Sequence, residues 1–132
     1  MNEYIIEARN IKKLFGGVVA LNDAEFLCPG GQIVGLLGEN GSGKTTLSRI
    51  LTGNFLQTAG EVKFKGEMVN FSSPKEAEDA GITMVHQNFS LVPDLTIWEN
   101  LFLGDEPRGK AGQLDNKRIR EMAKYYLDML CP

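Results

Sequence analysis

Hydrophobic and polar side chains alternate along two segments near the start of the chain, residues 4–11 and residues 21–28. Alternation with a period of two is typical of a half-buried strand. Two glycines at residues 16–17 separate the segments and favour a turn, so the pattern predicts an antiparallel pair. Residues 61–65 and 68–71 resemble two further short strands around a turn, and we expect them to join the same sheet.

Apolar runs without alternation occur at residues 32–37 and 82–85. Runs of this kind are typical of strands buried on both faces, and the sequence predicts two such strands. Between them, residues 44–53 place leucine and isoleucine at helical spacing and end at Gly53, which favours a helix end. Strands and helices are therefore both expected in this domain.

Two capping boxes predict helix starts in the second half of the chain. Ser73 is followed by Glu76, with proline at the first helical position, and Thr96 is followed by Glu99. Asp115 can cap a final helix. The apolar residues of that helix form one stripe: Ile119, Met122, Ala123, Tyr126, Leu127 and Leu130.

The composition is that of an ordinary folded domain. Of the 132 residues, 42% are hydrophobic and 23% are charged, which does not suggest disorder. The formal net charge of −3 gives no field that would attract DNA or RNA, so we expect no nucleic-acid partner. No apolar run approaches the roughly 20 residues of a membrane-spanning helix, and the N-terminus lacks the basic start of a signal peptide. We therefore expect a cytoplasmic chain.

Thiol and imidazole ligands are sparse and scattered. Cys28 and Cys131 lie far apart, no C-x-x-C pair occurs, and His86 is the single histidine. Neither a zinc site nor a disulfide framework is encoded. Both cysteines are predicted to be reduced, structural thiols.

The strongest chemical signal is the octapeptide GENGSGKT at residues 38–45, which fits the phosphate-binding pattern G-x-x-x-x-G-K-[ST]. Glycines allow backbone N–H groups to approach a phosphate closely. Lys44 supplies a cation for the β- and γ-phosphates, and Thr45 supplies a hydroxyl for Mg²⁺. A glycine-rich surface loop is the alternative, but it explains neither the apolar run before the motif nor the helix after it. The predicted nucleotide-binding residues of the loop are Gly38, Glu39, Asn40, Gly41, Ser42, Gly43, Lys44, Thr45 and Thr46.

The order of the motifs resembles one family. After the phosphate loop and the two short strands come MVHQ at residues 84–87 and the pattern L-x-P-x-L-T-x-x-E-N at residues 91–100. Along nearly all of its length the chain is similar to the ATP-binding subunit of a sugar-type ABC importer, of the ribose, galactose or xylose class. The resemblance implies an α/β fold. Residues 1–95 would form a partial P-loop NTPase (RecA-like) core with an antiparallel β subdomain, and residues 96–132 would begin a helical subdomain.

Residue roles follow from this resemblance. Phe15 matches the aromatic that stacks on adenine, and Gln87 matches the glutamine that contacts Mg²⁺ and the attacking water, which makes Gln87 the candidate catalytic residue. Thr45 and Gln87 are then the candidate metal ligands, and ATP and Mg²⁺ are the cofactors. Taken alone, Phe15 would be a core aromatic at a strand end and Gln87 a solvated loop residue. His86 precedes Gln87, so it is not the family's switch histidine.

Three family motifs are missing from the sequence: the signature Leu-Ser-Gly-Gly-Gln, the Walker B strand with its catalytic glutamate, and the switch histidine. Residues 101–107, LFLGDEP, look like the end of a Walker B strand, but Gly104 interrupts the apolar run and a capping box precedes it. We assign Asp105 and Glu106 to a solvated helix end. The chain is thus expected to be the N-terminal part of a first nucleotide-binding domain, and inactive as an ATPase on its own.

The resemblance implies a parent protein that hydrolyses ATP to drive import of a sugar through a membrane-spanning permease subunit. A second ATP-binding domain would complete a sandwich dimer, a solute-binding protein would act indirectly, and the protein would lie on the inner face of the cell membrane. Residues 89–95 would form the loop that meets the permease. Import of a nucleoside and nucleotide binding without turnover are the alternatives. A GTPase or small-molecule kinase is disfavoured, because no Asn-Lys-x-Asp motif occurs.

Overall fold

The computed structural model describes residues 4–86, 91–109 and 112–130. The chain divides into two compact units, Met1–Val85 and His86–Pro132. The first unit contains the phosphate loop, and the second contains the two C-terminal helices. Within the described ranges, no helix is long and apolar enough to cross a membrane.

Four antiparallel strands form the sheet of the first unit: β1 Tyr4–Phe15, β2 Val18–Pro29, β3 Ala59–Phe64 and β4 Glu67–Val69. Their order in the sheet is β2-β1-β3-β4. Gly16 and Gly17 connect β1 to β2 with φ values of 50° and 90°, the positive values that a tight two-residue hairpin turn favours. The structure confirms both predicted hairpins and their union in one sheet.

Helix α1, Lys44–Leu51, packs its apolar side against this sheet. The buried cluster between them consists of Ala8, Ile11, Leu21, Leu47, Ile50, Leu51 and Val62. Ile11 is the largest fully buried side chain among the described residues. Because burial of a large aliphatic side chain contributes about 1.5–3 kcal/mol, this cluster holds helix and sheet together.

Helix α2, Pro74–Ala80, begins after the predicted capping residue. The Ser73 Oγ accepts a hydrogen bond from the Glu76 N–H at 3.3 Å. The Glu76 carboxylate accepts from the N–H and the hydroxyl of Ser72, both at 2.7 Å, whereas a capping box would place it on the Ser73 N–H. These two bonds, that from the Ser72 N–H first, lower the pKa of Glu76. Half of the predicted box is therefore present.

Residues 32–37 and 82–85 are not strands in the structure, which corrects the prediction of two buried strands. Ile33, Leu37 and Val85 are exposed. A strand in a parallel sheet needs hydrogen-bonded neighbours and cover on both faces. Among the described residues, the strands of the sheet pair only with one another, as β2-β1-β3-β4. Without a neighbouring strand, these apolar runs form no ladder. Residues 32–37 are exposed throughout, whereas Ile82 and Met84 are half-buried.

The second unit contains α3, Ile97–Leu101, and α4, Asn116–Leu130. The predicted capping box at α3 is present. Its Glu99 carboxylate accepts from the Thr96 hydroxyl and, at 2.8 Å, from the Thr96 N–H, and these bonds lower the pKa of Glu99. The Asp115 Oδ1 accepts from the Arg118 N–H at 3.0 Å, so this residue caps α4 as predicted.

The predicted apolar stripe of α4 is only partly covered. Ile119 and Ala123 are buried. The Tyr126 ring lies 6.3 Å from that of Phe102. Leu127 and Leu130, further along the stripe, are exposed. The stripe therefore packs within this unit mainly through its first half.

We expect Ile11→Ala to lower the free energy of unfolding by about 2–4 kcal/mol, because it removes a fully buried side chain and leaves a cavity. Ile33→Ala is the matched control, and the same change at this exposed position should alter that free energy by less than about 0.5 kcal/mol. Urea denaturation followed by circular dichroism measures both. A cost at Ile33 as large as that at Ile11 would mean that residues 32–37 are buried in solution.

Candidate functional site

The phosphate loop runs from Gly38 to Gly43 and leads directly into α1. Gly43 is the N-terminal capping residue, with a φ of 93°, a left-handed value that glycine adopts without strain. A Cβ at this position would lie 2.5 Å from the Leu21 Cδ2 and 3.1 Å from the Ala20 carbonyl oxygen of β2. Glycine is therefore required here both by the backbone conformation and by the close approach of α1 to β2.

The N-terminus of α1 presents N–H donors without acceptors in the helix. The first helical hydrogen bond runs from the Leu47 N–H to the Gly43 carbonyl at 2.9 Å, so the N–H groups of residues 44–46 have no acceptor within the helix. No side chain caps this end, and no acidic residue lies in the first turn. The helix dipole adds partial positive charge at the same place. This arrangement suits an anion such as phosphate.

The Lys44 ammonium lies against the loop that precedes it. It donates to the carbonyl oxygens of Gly38 at 2.6 Å and Glu39 at 2.7 Å, and to the Ser42 hydroxyl at 3.4 Å. A bond from the Ser42 N–H to the Glu39 carbonyl at 3.2 Å also closes the loop. The lysine thus holds together the loop whose ligand it is predicted to bind.

Phe15 lies at the end of β1, where it pairs with Val18 of β2. Its side chain is 40% exposed, and its ring meets that of Phe55 edge-on, with 5.1 Å between the centroids. Val18 is two residues before Ala20 in β2, and two strand residues span about 7 Å. The carbonyl of Ala20 faces Gly43 of the phosphate loop. The structure therefore brings Phe15 and the phosphate loop to the same stretch of β2.

The other candidate residues have different outcomes. Gln87 lies outside the described residues, so its catalytic and metal roles stay predictions. Asp105 and Glu106 follow the end of α3, as expected, and do not belong to a strand. The Glu106 carboxylate accepts from the Gly104 N–H at 3.0 Å, and this bond is the main cause of its lowered pKa. Among the described residues, no group of three histidine, cysteine, aspartate or glutamate side chains could hold a metal ion.

Sequence reasoning missed Asn100. Its Nδ2 donates to the carbonyl oxygens of Val92, Leu95 and Thr96, each at 3.1 Å, and its Oδ1 accepts from the Val92 N–H at 2.8 Å. One amide thus ties residues 92–96 to α3. The sequence signal for this role was an asparagine within a short predicted helix. Asparagine is disfavoured in helix interiors because its side chain bonds readily to nearby backbone groups.

The segment held by Asn100 borders an apolar groove of about 360 Å³. Its lining residues are Leu91, Val92, Pro93, Leu95, Ile97, Asn100 and Leu101. Part of the predicted permease loop, residues 89–95, therefore lines the groove, whereas residues 89 and 90 lie outside the described ranges. The contact with a permease stays a prediction.

A family model described as ABC transporter matches residues 21–129 of the chain. The chain belongs to this family. The arabinose import ATP-binding protein AraG of Yersinia pestis is 46% identical over 122 residues, which cover 92% of the present chain and 23% of AraG. The ribose import ATP-binding protein RbsA of Rhodopirellula baltica is 44% identical over 129 residues, with coverages of 98% and 25%. The guanosine import ATP-binding protein NupO of Bacillus subtilis is 47% identical over 116 residues, with coverages of 88% and 22%.

The chain therefore spans about a quarter of the length of these curated relatives.

Solved structures share the fold of this chain. A nucleotide-free ATP-binding cassette from an ABC transporter matches with a TM-score of 0.75 at 28% identity, over 96% of the present chain and 53% of the cassette. The ADP conformation of another cassette matches with a TM-score of 0.71 at 28% identity, over 93% and 45%. The predicted family and the predicted α/β P-loop fold are confirmed, and the domain division at residue 95 stays a prediction.

We expect Gly43→Ala to destabilise the chain by about 2–4 kcal/mol, because a Cβ there is strained by the left-handed φ and crowds both the Ala20 carbonyl oxygen and the Leu21 side chain. Gly41→Ala is the matched control. Gly41 has a φ of 85° with nothing within 4 Å of its added Cβ, so it should cost only the strain, about 1–2 kcal/mol. Urea denaturation gives both values. Equal costs would indicate that the approach of Gly43 to β2 leaves room for a side chain.

Proposed function

We propose that the chain binds ATP and Mg²⁺ through residues 38–46, with Phe15 against the adenine. The observation that carries this proposal is the Lys44 ammonium, which lies among loop carbonyls beside a helix N-terminus that no side chain caps. A triphosphate has many acceptor oxygens and several negative charges. It would satisfy the unpaired N–H donors and the cation together.

Phosphate binding would replace the loop carbonyls that accept hydrogen bonds from Lys44 with phosphate oxygens. The Lys44 ammonium has three N–H donors, and it directs two of its bonds at the carbonyls of Gly38 and Glu39. A charged phosphate oxygen is a stronger acceptor than a carbonyl. The lysine would therefore turn toward the β- and γ-phosphates while the N–H groups of residues 44–46 hold the same oxygens from the helix side.

Thr45 is the candidate protein ligand for Mg²⁺. It lies in the first turn of α1 and is exposed, so a ligand can reach its hydroxyl. Mg²⁺ commonly takes few protein ligands and fills its remaining positions with phosphate oxygens and water, which fits a site without a carboxylate cluster. When bound, the ion would neutralise charge on the β- and γ-phosphates. Gln87 is proposed as a further ligand and as the residue that orients the attacking water, on the family resemblance alone.

In a protein of its relatives' length, we propose that the bound ATP is hydrolysed to drive import of a sugar, with a nucleoside as the alternative solute. The names of the relatives, which include arabinose, ribose and guanosine import, support this range of solutes. On the family resemblance, a second ATP-binding domain would supply the Leu-Ser-Gly-Gly-Gln signature across a sandwich dimer. The chain on its own would bind ATP without turnover.

A membrane-spanning permease subunit would contact the second unit at residues 91–95, where apolar side chains line an open groove. The protein would then lie on the cytoplasmic face of the membrane, and a solute-binding protein would act only through the permease. We propose no nucleic-acid partner, because the net charge of −3 offers no attraction to a polyanion.

We expect Lys44→Ala to weaken ATP binding by about 100-fold or more, because a charge near the phosphates contributes a few kcal/mol at an intermediate effective dielectric. The fold should survive, since Lys44 is not part of the buried cluster. Lys65→Ala is the control, because it removes a lysine whose ammonium lies over the Phe64 ring in the turn between β3 and β4.

Titration calorimetry with ATP and Mg²⁺ measures the affinity of both variants, and circular dichroism checks their folding. The Lys65 variant should bind like the unmodified chain. Unchanged affinity in a folded Lys44→Ala variant would refute the phosphate role of the loop.

A further inference from the structure

Phe55 lies between the C-terminal end of α1 and the aromatic ring proposed for the base. It follows α1, and its N–H donates to the Arg49 carbonyl at the end of that helix at 3.2 Å. Its ring meets the Phe15 ring edge-on, with centroids 5.1 Å apart and planes at 74°. The Arg49 guanidinium lies 5.6 Å from the Phe55 centroid. Phe55 therefore contacts both the helix that follows the phosphate loop and the aromatic proposed for the base.

Lys13 supports the same contact from β1. Its ammonium lies 4.9 Å from the Phe15 centroid and 5.6 Å from the Phe55 centroid. It also donates to the Leu56 carbonyl at 2.6 Å. A cation over aromatic rings is attracted by their quadrupole. The lysine thus joins both rings to the backbone that follows Phe55.

Two further hydrogen bonds fix the segment after Phe55 to β1. The Thr58 N–H donates to the Lys12 carbonyl at 2.8 Å, and the Leu14 N–H donates to the Thr58 Oγ1 at 3.1 Å. Phe15 is the next residue of β1, and its side chain is 40% exposed. Its backbone is therefore held in the sheet, while its ring depends on neighbours such as Phe55 for a fixed orientation.

We propose that Phe55 is a positioning residue for base recognition, supported by Lys13, and that it holds the Phe15 ring at a fixed place relative to the phosphate loop. This inference rests on the proposed function, because it concerns the same nucleotide. A ring held in place before binding loses less conformational freedom when a purine stacks on it. The effect of Phe55 should therefore be confined to ligands that carry a base.

The test compares ATP with inorganic triphosphate, each with Mg²⁺, by titration calorimetry. In Phe55→Leu the apolar bulk remains but the edge-on contact is lost, so we expect ATP affinity to fall about three- to tenfold. Affinity for inorganic triphosphate should not change. Phe55→Tyr keeps the ring and should retain the ATP affinity of the unmodified chain.

A double variant separates positioning from general packing. Because Phe55 is proposed to act through Phe15, the Phe15→Ala variant and the variant with both Phe15→Ala and Phe55→Leu should bind ATP with the same affinity. A further loss in the double variant would overturn the inference.

Lys13→Met tests the support without changing either ring. We expect a roughly two- to fivefold loss of ATP affinity and no loss for inorganic triphosphate. Lys65→Met is the matched control, because it removes a similar contact, with 4.7 Å between the ammonium and the Phe64 centroid. It should affect neither ligand.

The two proposals fail in different ways. If the Phe55→Leu variant folds but its affinity falls equally for both ligands, or for neither, the positioning role is wrong. The proposal that Lys44 and the loop bind ATP then still stands. If the unmodified chain binds inorganic triphosphate as tightly as ATP, Phe15 supports no base and the inference is wrong. If the unmodified chain binds neither ligand, the proposed function is wrong as well.

Discussion

The close approach of α1 to β2 is the constraint on which the site depends. A Cβ on Gly43 would lie 3.1 Å from the Ala20 carbonyl oxygen and would displace the Leu21 side chain, so the helix begins close against the strand. This contact places the N–H groups of residues 44–46 relative to the sheet, while Leu47 and Ile50 of the same helix enter the core. β2 begins beside Phe15, its partner across the hairpin turn being Val18. One strand thus positions both the phosphate donors and the candidate base contact.

The electrostatics of the loop follow from this placement. A lysine at a helix N-terminus is unfavourable, because its charge has the same sign as that end of the helix dipole. The carbonyl oxygens of Gly38 and Glu39 offset this repulsion by accepting from the Lys44 ammonium. No acidic side chain lies in the first turn of α1 to do so. A bound anion would supply the opposite charge at this helix end, which supports the proposed phosphate role of the loop.

Local patterns predicted local structure well. Alternation and turn glycines located the hairpins, and the capping residues Ser73 and Thr96 marked helix starts. The apolar runs at residues 32–37 and 82–85 were wrong as strands, because a strand forms only beside a neighbour and apolar character does not identify one. The phosphate-loop motif predicted the nucleotide site and the family resemblance pointed to Phe15, and both assignments stay predictions. The support from Phe55 could not be predicted, because it depends on tertiary contact between segments far apart in sequence. The role of Gln87, outside the described residues, remains a prediction.

Residues 38–46 are proposed to hold the phosphates of ATP, with Lys44 exchanging loop carbonyls for phosphate oxygens. The most direct measurement is a titration of the isotope-labelled chain with ATP and Mg²⁺, followed by nuclear magnetic resonance of its backbone amides. We expect the largest shifts on the amides of residues 38–46, with smaller shifts at Phe15 and Phe55. Saturation of binding with no change at residues 38–46, or with the largest changes in α3 and α4, would contradict it.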